Sequence, residues 1–524
     1  MKNLLITLLM GFSFQLKADV SLNYGETSRP EHIDPYTTQD ASAYRMVDLL
    51  FDSLIELEQD YSYSPSLAKS YSITKDGKQV LMELSEQVKW HPYMGKVHNF
   101  TSDDVLATVR LLLASDSGIP NKSRFDIIES VQALDKYKVL FTLKRASVDP
   151  LKYLGFKILP AFRFKEKKPF NRNHEFGKNP TGTGPYLIND FGDNGEIKLV
   201  SNPSYFKGNV NIPAFTMKPF TDQNIMTQAL LFESLDLLTY VSPKRLDEVL
   251  ADQNFEVKPY ASLSYSFIGF NTKNGLLSRK LFRQALNYSI NRKEMLKAFF
   301  ENRGNLISGP FPPSSWAYNL DVKPYEYDIK RAKSTFQSIG LKYDGSGKLL
   351  NWKKQQVSLS FLIPIAGEKE MNKRIGVAIQ AYLQKVGINL KLEFVDWHIW
   401  KQRVLVEKNY EMTVAMWNFD DAANIESLFH SSEIKPWGNN FVQYSNPEVD
   451  ALLAEGSYTN DFEKKIAIFH KLHSILAVES PYLYLWTLKH HAVFNRKLSG
   501  VKIDPFSFFK YVKQWRLRKL DKVM

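Results

Sequence analysis

Two hydrophobic periods alternate along the chain, and between Met371 and Phe394 they follow each other directly. Ile375, Ala378, Ile379, Tyr382, Leu383 and Val386 recur at helical spacing and predict a single apolar helix face. Gly387 stands where a helix stops in a left-handed residue. Ile388, Leu390, Leu392 and Phe394 then alternate with Asn389, Lys391 and Glu393, the period of a half-buried strand. A helix feeding into a strand is an α/β unit. Other helix starts carry capping chemistry: Ser102 before Asp103-Asp104 and the apolar Val105, Val109 and Leu112; Asn291 before Arg292-Lys293-Glu294; Asp461 before a long helix with Phe462, Ile466, Phe469, His473 and Leu476 on one face. The stretch Gly309-Pro310-Phe311-Pro312-Pro313, flanked by aromatics, predicts an ordered loop rather than a linker. There is no internal repeat and no long Gly/Ser segment, so the pattern predicts a large α/β protein with interleaved domains.

Size and composition narrow this further. At roughly 150 residues per domain, 524 residues suggest about three domains, or two lobes with an insertion. With 44% hydrophobic and 24% charged residues the composition is that of a globular chain, not a disordered, collagen-like or multi-span membrane protein. Aromatic residues make up 13%, a surplus that suits a large amphipathic cleft. Cysteine is absent, which excludes disulfides, Cys-ligated zinc, thiolate catalysis and a lipidated cysteine. At the N-terminus, Lys2 precedes an uncharged, mostly apolar run from Leu4 to Leu16, followed by the small Ala18. That run is too short to span a bilayer and reads as a secretory signal cleaved near Ala18, with a soluble exported product and no lipid anchor.

A formal net charge of +12 raises the question of nucleic acid. The charge is spread along the chain, and its densest stretch, Lys510 to Met524, reads as a solvated basic terminus. For an exported chain a membrane-surface or permease contact suits such a patch better than nucleic acid.

Catalytic motifs mostly fail. Gly345-Ser346-Gly347-Lys348 lacks the first glycine and the hydroxyl residue of a phosphate loop, and Gly182-Thr183-Gly184 lacks the third glycine of a dinucleotide loop. No G-x-S-x-G elbow or H-E-x-x-H helix occurs. His470 and His473 have a helical spacing that suits one metal, but His473 falls in line with the apolar face and reads as core. His490-His491 in a strand would point to opposite faces, and His91 beside Trp90 reads as structural. Asp103-Asp104 reads as helix-start chemistry. Asp420-Asp421 follows the apolar strand Met412 to Ala415 and the run Met416-Trp417-Asn418-Phe419, a position that serves either a ligand contact or a turn. No partner for general acid–base chemistry is visible, and neither metal nor cofactor is expected.

Several segments occur in an order that carries a resemblance. They include Pro65-Ser66-Leu67-Ala68, Val88-Lys89-Trp90-His91, Thr101-Ser102-Asp103-Asp104-Val105, Gly182-Thr183-Gly184-Pro185-Tyr186, Arg283-Gln284-Ala285-Leu286-Asn287-Tyr288, Gly309-Pro310-Phe311-Pro312-Pro313 and Tyr444-Ser445-Asn446-Pro447-Glu448-Val449-Asp450. Over essentially the whole mature chain the sequence resembles the bacterial extracellular solute-binding proteins of family 5, the oligopeptide-, dipeptide- and nickel-binding components of ABC importers. The resemblance implies a type II periplasmic-binding-protein clamshell, two lobes of mixed sheets flanked by helices with an extra inserted domain. Lobe one would comprise 19–45, 180–262 and 488–524, the extra domain 46–179 and lobe two 263–487. Crossing strands near Tyr265–Asn271 and Tyr482–Lys489 would form the hinge.

The resemblance also implies a function: a periplasmic, monomeric, non-enzymatic subunit that closes around a peptide and delivers it to permease subunits in the inner membrane. In peptide-binding members a W-x-x-D pattern carries an aspartate for the peptide's α-amino group. Trp417-Asn418-Phe419-Asp420 matches it, which marks Asp420 as the anchor with Asp421 beside it. Trp417, Phe419 and Tyr265 would give apolar walls, and Arg29, in Ser28-Arg29-Pro30-Glu31, would line the cleft from lobe one. The loop Pro364–Lys369 lacks the arginine that dipeptide binders use for the ligand carboxylate. A non-peptide solute (an oligosaccharide, an opine-like compound or a metal chelate) and a sensory or chaperone-like role remain open beside peptide import.

Overall fold

In the computed structural model, residues 21–38, 40–120, 125–147, 149–165, 170–365, 369–419, 425–459 and 461–518 are described. The signal segment, Asp420 and Asp421 lie outside them.

The long strand Tyr482–Asn495 organises the molecule, because both halves use it. Tyr482–Trp486 pairs with Ser264–Phe270, and Trp486–Leu488 pairs with Gly304–Leu306. Lys489–Asn495 pairs instead with Phe255–Ala261, and Val493-Phe494 with Leu237-Leu238. Its sequence, rich in Tyr, Leu, Val and Phe, is buried at both ends and opens only around Leu488–His491, where partners change. The backbone passes between the halves there and at Ser262-Leu263.

Lobe two continues from Ser264–Phe270 through Met412–Asn418 and Ser358–Pro364 to Asn389–Val395. The last three strands are parallel, and the helix Lys369–Lys385 connects Ser358–Pro364 to Asn389–Val395. This is the predicted α/β unit. Gly387 takes a φ of +78°, and Leu390 is buried, but Phe394 stays 45% exposed because the strand has reached the sheet's carboxyl edge. Lobe one runs from Leu237-Leu238 through Ser21–Glu26, Ala214–Pro219 and Ile197–Ser201 to Tyr186–Phe191. An antiparallel sheet of four strands (Ala68–Ile73, Gln79–Leu84, Lys138–Leu143, Ile128–Asp135), crossed by the helix Ser102–Leu113, forms the extra domain. Its apolar residues are continuous with most of those of lobe one in one core, a smaller core around Leu230, Leu238 and Val493 completes lobe one, and lobe two packs a core on each face of its sheet.

Local readings hold with small shifts. Asn291 and Asp461 cap their helices, accepting from the Glu294 and Lys464 N–H groups. The cap of Ser102–Leu113 is Thr101, one residue earlier than expected, and the buried Asp104 carboxylate accepts from the Thr101 and Ala161 N–H groups and from the Trp90 indole. Burial outweighs these donors and raises its pKa to about 6. The glycines of Gly182-Thr183-Gly184 serve close packing: a Cβ at Gly182 would lie 1.7 Å from the Leu50 carbonyl oxygen. Gly345-Ser346-Gly347-Lys348 closes a hairpin around the Asp344 carboxylate.

Candidate functional site

Ligands in open α/β sheets bind outside the carboxyl ends of the strands. In lobe two those ends are Pro364, Val395 and Asn418. An aromatic wall stands beside them. Trp417 is half-buried, with its ring stacked over Phe267 at 6.0 Å and its indole N–H donating to the Tyr482 hydroxyl at 3.3 Å. Phe267 lies on Tyr482 with centroids 4.0 Å apart. Phe419 donates its N–H to the Leu263 carbonyl at 2.9 Å, which places its ring on Tyr265 at 5.6 Å. Tyr265 is buried, its hydroxyl finds no partner among the described residues, and burial pushes its pKa above the usual tyrosine range. Asn418 is exposed opposite Ser264.

Tyr265, Trp417, Asn418 and Phe419 thus converge on one strand end. Arg29 stands apart: it is exposed and its side chain lies against Gly195 in the Phe191–Ile197 turn of lobe one. Trp397 was not singled out from the sequence, yet it follows the carboxyl end of Asn389–Val395, is 47% exposed, and stacks on Trp400 at 4.7 Å.

Between the lobes lies a cavity of about 880 Å³. Lobe two contributes Trp316, Phe462 and Phe469, together with Ile425 and Glu426, the first described residues after 420–424. Phe462 was expected on the buried face of its helix. It is 50% exposed because that first turn projects into the cavity. The opposite wall is ionic. Lys207 bonds to Glu56 and lies 3.6 Å from Asp52, which also accepts from Tyr205 at 3.0 Å and Thr183 at 2.8 Å. Burial works against the Glu56 charge, but Lys207 prevails and holds its carboxyl below the usual range, while the two carboxylates hold the Lys207 ammonium above its own. Lys157 lies 3.7 Å from Asp48, and Lys510 2.9 Å from Glu58. Asp48, Asp52 and Glu56 recur every four residues, a sequence signal passed over because the helix ends at Leu50.

The basic C-terminal stretch is partly anchored. Up to Arg518 the backbone is anchored by the buried Trp515 and by Lys510, which is 9% exposed, while Lys513, Arg516 and Arg518 stay exposed as expected of a solvated basic terminus. Of its charges, Lys510 pairs with the Glu58 carboxylate and Lys513 bonds to the Lys207 carbonyl.

The histidines are structural in their contacts. His473 accepts the Asn319 N–H at Nδ1 (3.0 Å), so its neutral ring carries the proton on Nε2 and donates to Ser308 Oγ at 2.9 Å. A base for Ser308 would need that nitrogen free, so the pair is not a nucleophilic dyad. Burial lowers the His473 pKa to about 4. His91 braces Gly182 and Gly184, and His490 sits between the Tyr240 and Tyr260 rings. Among the described residues no cluster of three or more metal-ligating side chains occurs.

Comparison with known proteins gives a consistent picture. The model of the bacterial extracellular solute-binding proteins, family 5 (middle), matches residues 62–439. The oligopeptide-binding protein AppA of Bacillus subtilis is 27% identical over 503 residues, covering 92% of this chain and 89% of the relative. A probable di/tripeptide-binding protein 5 of Pseudomonas aeruginosa is 23% identical, covering 94% and 95%. The solved structure of AppA from Bacillus subtilis in complex with a nonapeptide superposes with a TM-score of 0.77 at 25% identity, covering 95% of this chain and 99% of that one.

Proposed function

Because the chain belongs to the bacterial extracellular solute-binding proteins of family 5, we propose that it is the binding subunit of an ABC importer and that its solutes are peptides. The observation that carries the peptide reading is the 880 Å³ cavity, with its aromatic and ionic walls, between lobes joined at a shared strand. Its size falls in the range of ligand sites, roughly 300–1,000 Å³. Aromatic faces accept varied side chains, and fixed charges orient a zwitterion.

In this reading lobe one is 19–45, 180–262 and 488–524, the extra domain 46–179 and lobe two 263–487. Closure turns about Ser262-Leu263 and Leu488-Lys489. Solute touching both lobes favours the closed state through contacts that the open state lacks, and the permease reads that state. Asp420 receives the peptide ammonium, and Trp417, Asn418, Phe419, Tyr265 and Asp421 contribute to the same binding site. Arg29 acts from lobe one as the lobes close. The chain is exported by cleavage near Ala18, works in the periplasm as a monomer without a lipid anchor, and releases its solute unchanged.

Native mass spectrometry of protein purified gently from periplasm tests this. A ladder of bound masses resolving to peptides is expected, and Asp420→Asn should strip it, a loss of tenfold or more in affinity for a charge-assisted bond of about 1.5–3 kcal/mol. A single non-peptide mass, or an unchanged ladder in the variant, would refute the peptide or the anchor respectively.

A further inference from the structure

One region of lobe two collects cations without the carboxylates that accompany them elsewhere. From Ile329 to Ser358 there are seven Lys and Arg residues and one acid, Asp344. The Asp344 oxygen Oδ1 is engaged in its own turn, accepting the Ser346 and Lys348 N–H groups at 2.9 Å and the Ser346 hydroxyl at 2.8 Å. On the helix Phe462–Glu479 of the same lobe the pattern differs: Lys464 pairs with Glu455 at 3.0 Å and Lys471 with Glu448 at 2.8 Å. Lys342, Lys348, Lys353 and Lys354 are exposed, and among the described residues none of them forms an ion pair.

The fold draws these charges together. Lys342-Tyr343 pairs with Leu349-Leu350 in a hairpin. The Leu349 N–H donates to the Gly387 carbonyl at 3.0 Å and the Tyr343 hydroxyl to the Val386 carbonyl at 3.3 Å, which ties the hairpin to the end of the helix Lys369–Lys385. Lys333, on the helix Ile329–Ser338, lies over the Tyr343 ring at 5.4 Å. Asn351 then closes a tight turn, its side-chain oxygen accepting the Lys353 and Gln355 N–H groups, and Lys354 takes a φ of +59°. Trp352 stands in this turn. The Arg279 guanidinium lies over its ring at 4.4 Å, and a Cβ at Gly340 would be 3.0 Å from its Nε1, yet the residue is 56% exposed. At the hairpin's end a Cβ at Gly345 or Gly347 would meet nothing within 4 Å, so the tip stands clear of the protein.

We infer that Trp352 and the cations around it form a surface that adsorbs the protein to an anionic lipid bilayer. The chemistry matches the headgroup layer: an amphipathic ring takes the boundary between water and acyl chains, and ammonium groups meet phosphates. A projecting turn offers no groove to a partner's side chain, and a fluid surface needs none. The patch adjoins Ser358 and Asn389, the amino ends of strands whose carboxyl ends, Pro364 and Val395, border the cleft. Each strand has seven residues, which sets the patch about 20 Å from those ends and leaves the cleft free. In a periplasmic protein the bilayer is the inner membrane, and adsorption concentrates the loaded subunit beside its permease. This goes beyond the peptide reading and does not depend on it.

Vesicle sedimentation tests the surface, with the full mature chain and two lipid mixtures: phosphatidylcholine alone, and phosphatidylcholine with about one third phosphatidylglycerol. At low ionic strength the protein should bind the anionic vesicles about tenfold or more tighter than the neutral ones. In about 1 M salt, where the screening length falls to about 3 Å, it should be released. Lys353→Glu combined with Lys354→Glu should weaken binding about tenfold or more. Trp352→Phe should remove most of the tryptophan quenching that brominated acyl chains produce. All three positions are exposed and far from the cleft, so solute affinity should stay at the wild-type value. Equal binding to neutral vesicles, or binding to neither, overturns the inference. Undiminished binding by the double variant overturns it too and moves the contact to the C-terminal basic stretch, as does quenching that survives Trp352→Phe. Tighter binding to polyglutamate than to the anionic vesicles would replace lipid with an acidic polypeptide as the partner.

Discussion

The aromatic cluster at the strand end of lobe two and the ionic wall of the cavity reach their geometry by different routes. In the aromatic cluster of lobe two, Tyr265, Phe267, Trp417 and Phe419 lie on two paired strands and their continuation, in the register Tyr265 to Trp417 and Phe267 to Ala415, and Tyr482 comes from the adjacent strand. Regular backbone pairing places these rings, and only stacking and one indole hydrogen bond refine them. In the ionic wall, Lys207 meets Glu56 from 151 positions away and Tyr511 meets Glu58 from 453. No regular pairing sets those contacts; they hold because charges buried together must be compensated. The aromatic wall is therefore expected to tolerate exchange among apolar groups, and the ionic wall to tolerate little.

The contrast is sharpest under substitutions that empty each wall. Phe267→Ala removes a fully buried ring that stacks on Trp417, Tyr482 and Phe441. It should cost about 3–5 kcal/mol in chemical denaturation, and Phe267→Leu much less. If the two cost the same, the wall is held by something other than filled volume.

Lys207→Met is the corresponding break opposite. It leaves Asp52, with 5% of its side chain exposed, and Glu56 without their ammonium, at a cost of about 3 kcal/mol near neutral pH. The sign with pH follows from the shifts. Glu56 is held below its unfolded value, so its contribution is present above that value and is lost as pH falls through the carboxylate range. Lys207 is held above its unfolded value, so its share is complete below that value and is lost only in strong alkali. The difference between wild type and Lys207→Met should therefore shrink on acidification, whereas the Phe267→Ala deficit stays level. A Lys207→Met deficit independent of pH would show that the stem, not the charge, matters.

This contrast also explains what the sequence made legible. The helix ending at Gly387, the caps at Asn291 and Asp461, and the convergence of Trp417 and Phe419 on a strand end are local, and local spacing or a short motif exposes them. Trp397 was missed although it too is local, because one aromatic after a strand has no periodic partner to mark it. The ionic wall was illegible for a physical reason. Lys510 reads as one more charge in a basic tail until the fold brings Glu58 to it. Closure by charge compensation leaves no periodicity.

The smallest expected effect lies where the lobes touch. Tyr61 stands in a tight turn, with a φ of +64° and its N–H bonded to the Glu58 carbonyl at 2.9 Å. Its hydroxyl donates to the Ser314 carbonyl of lobe two at 3.2 Å, and its ring meets Phe506 edge-on at 5.4 Å. Tyr61→Phe keeps the turn and the ring and removes only the hydrogen bond that crosses the cleft. The bond is exposed, so its net value is about 0.5–1 kcal/mol. Because it forms only when the lobes are together, that energy favours the closed state and not the folded one. Solute should dissociate about two- to fivefold faster from the variant, measured by stopped-flow displacement, with association and the unfolding midpoint unchanged. A lowered midpoint with unaltered dissociation would place the bond in the resting fold and leave closure independent of it.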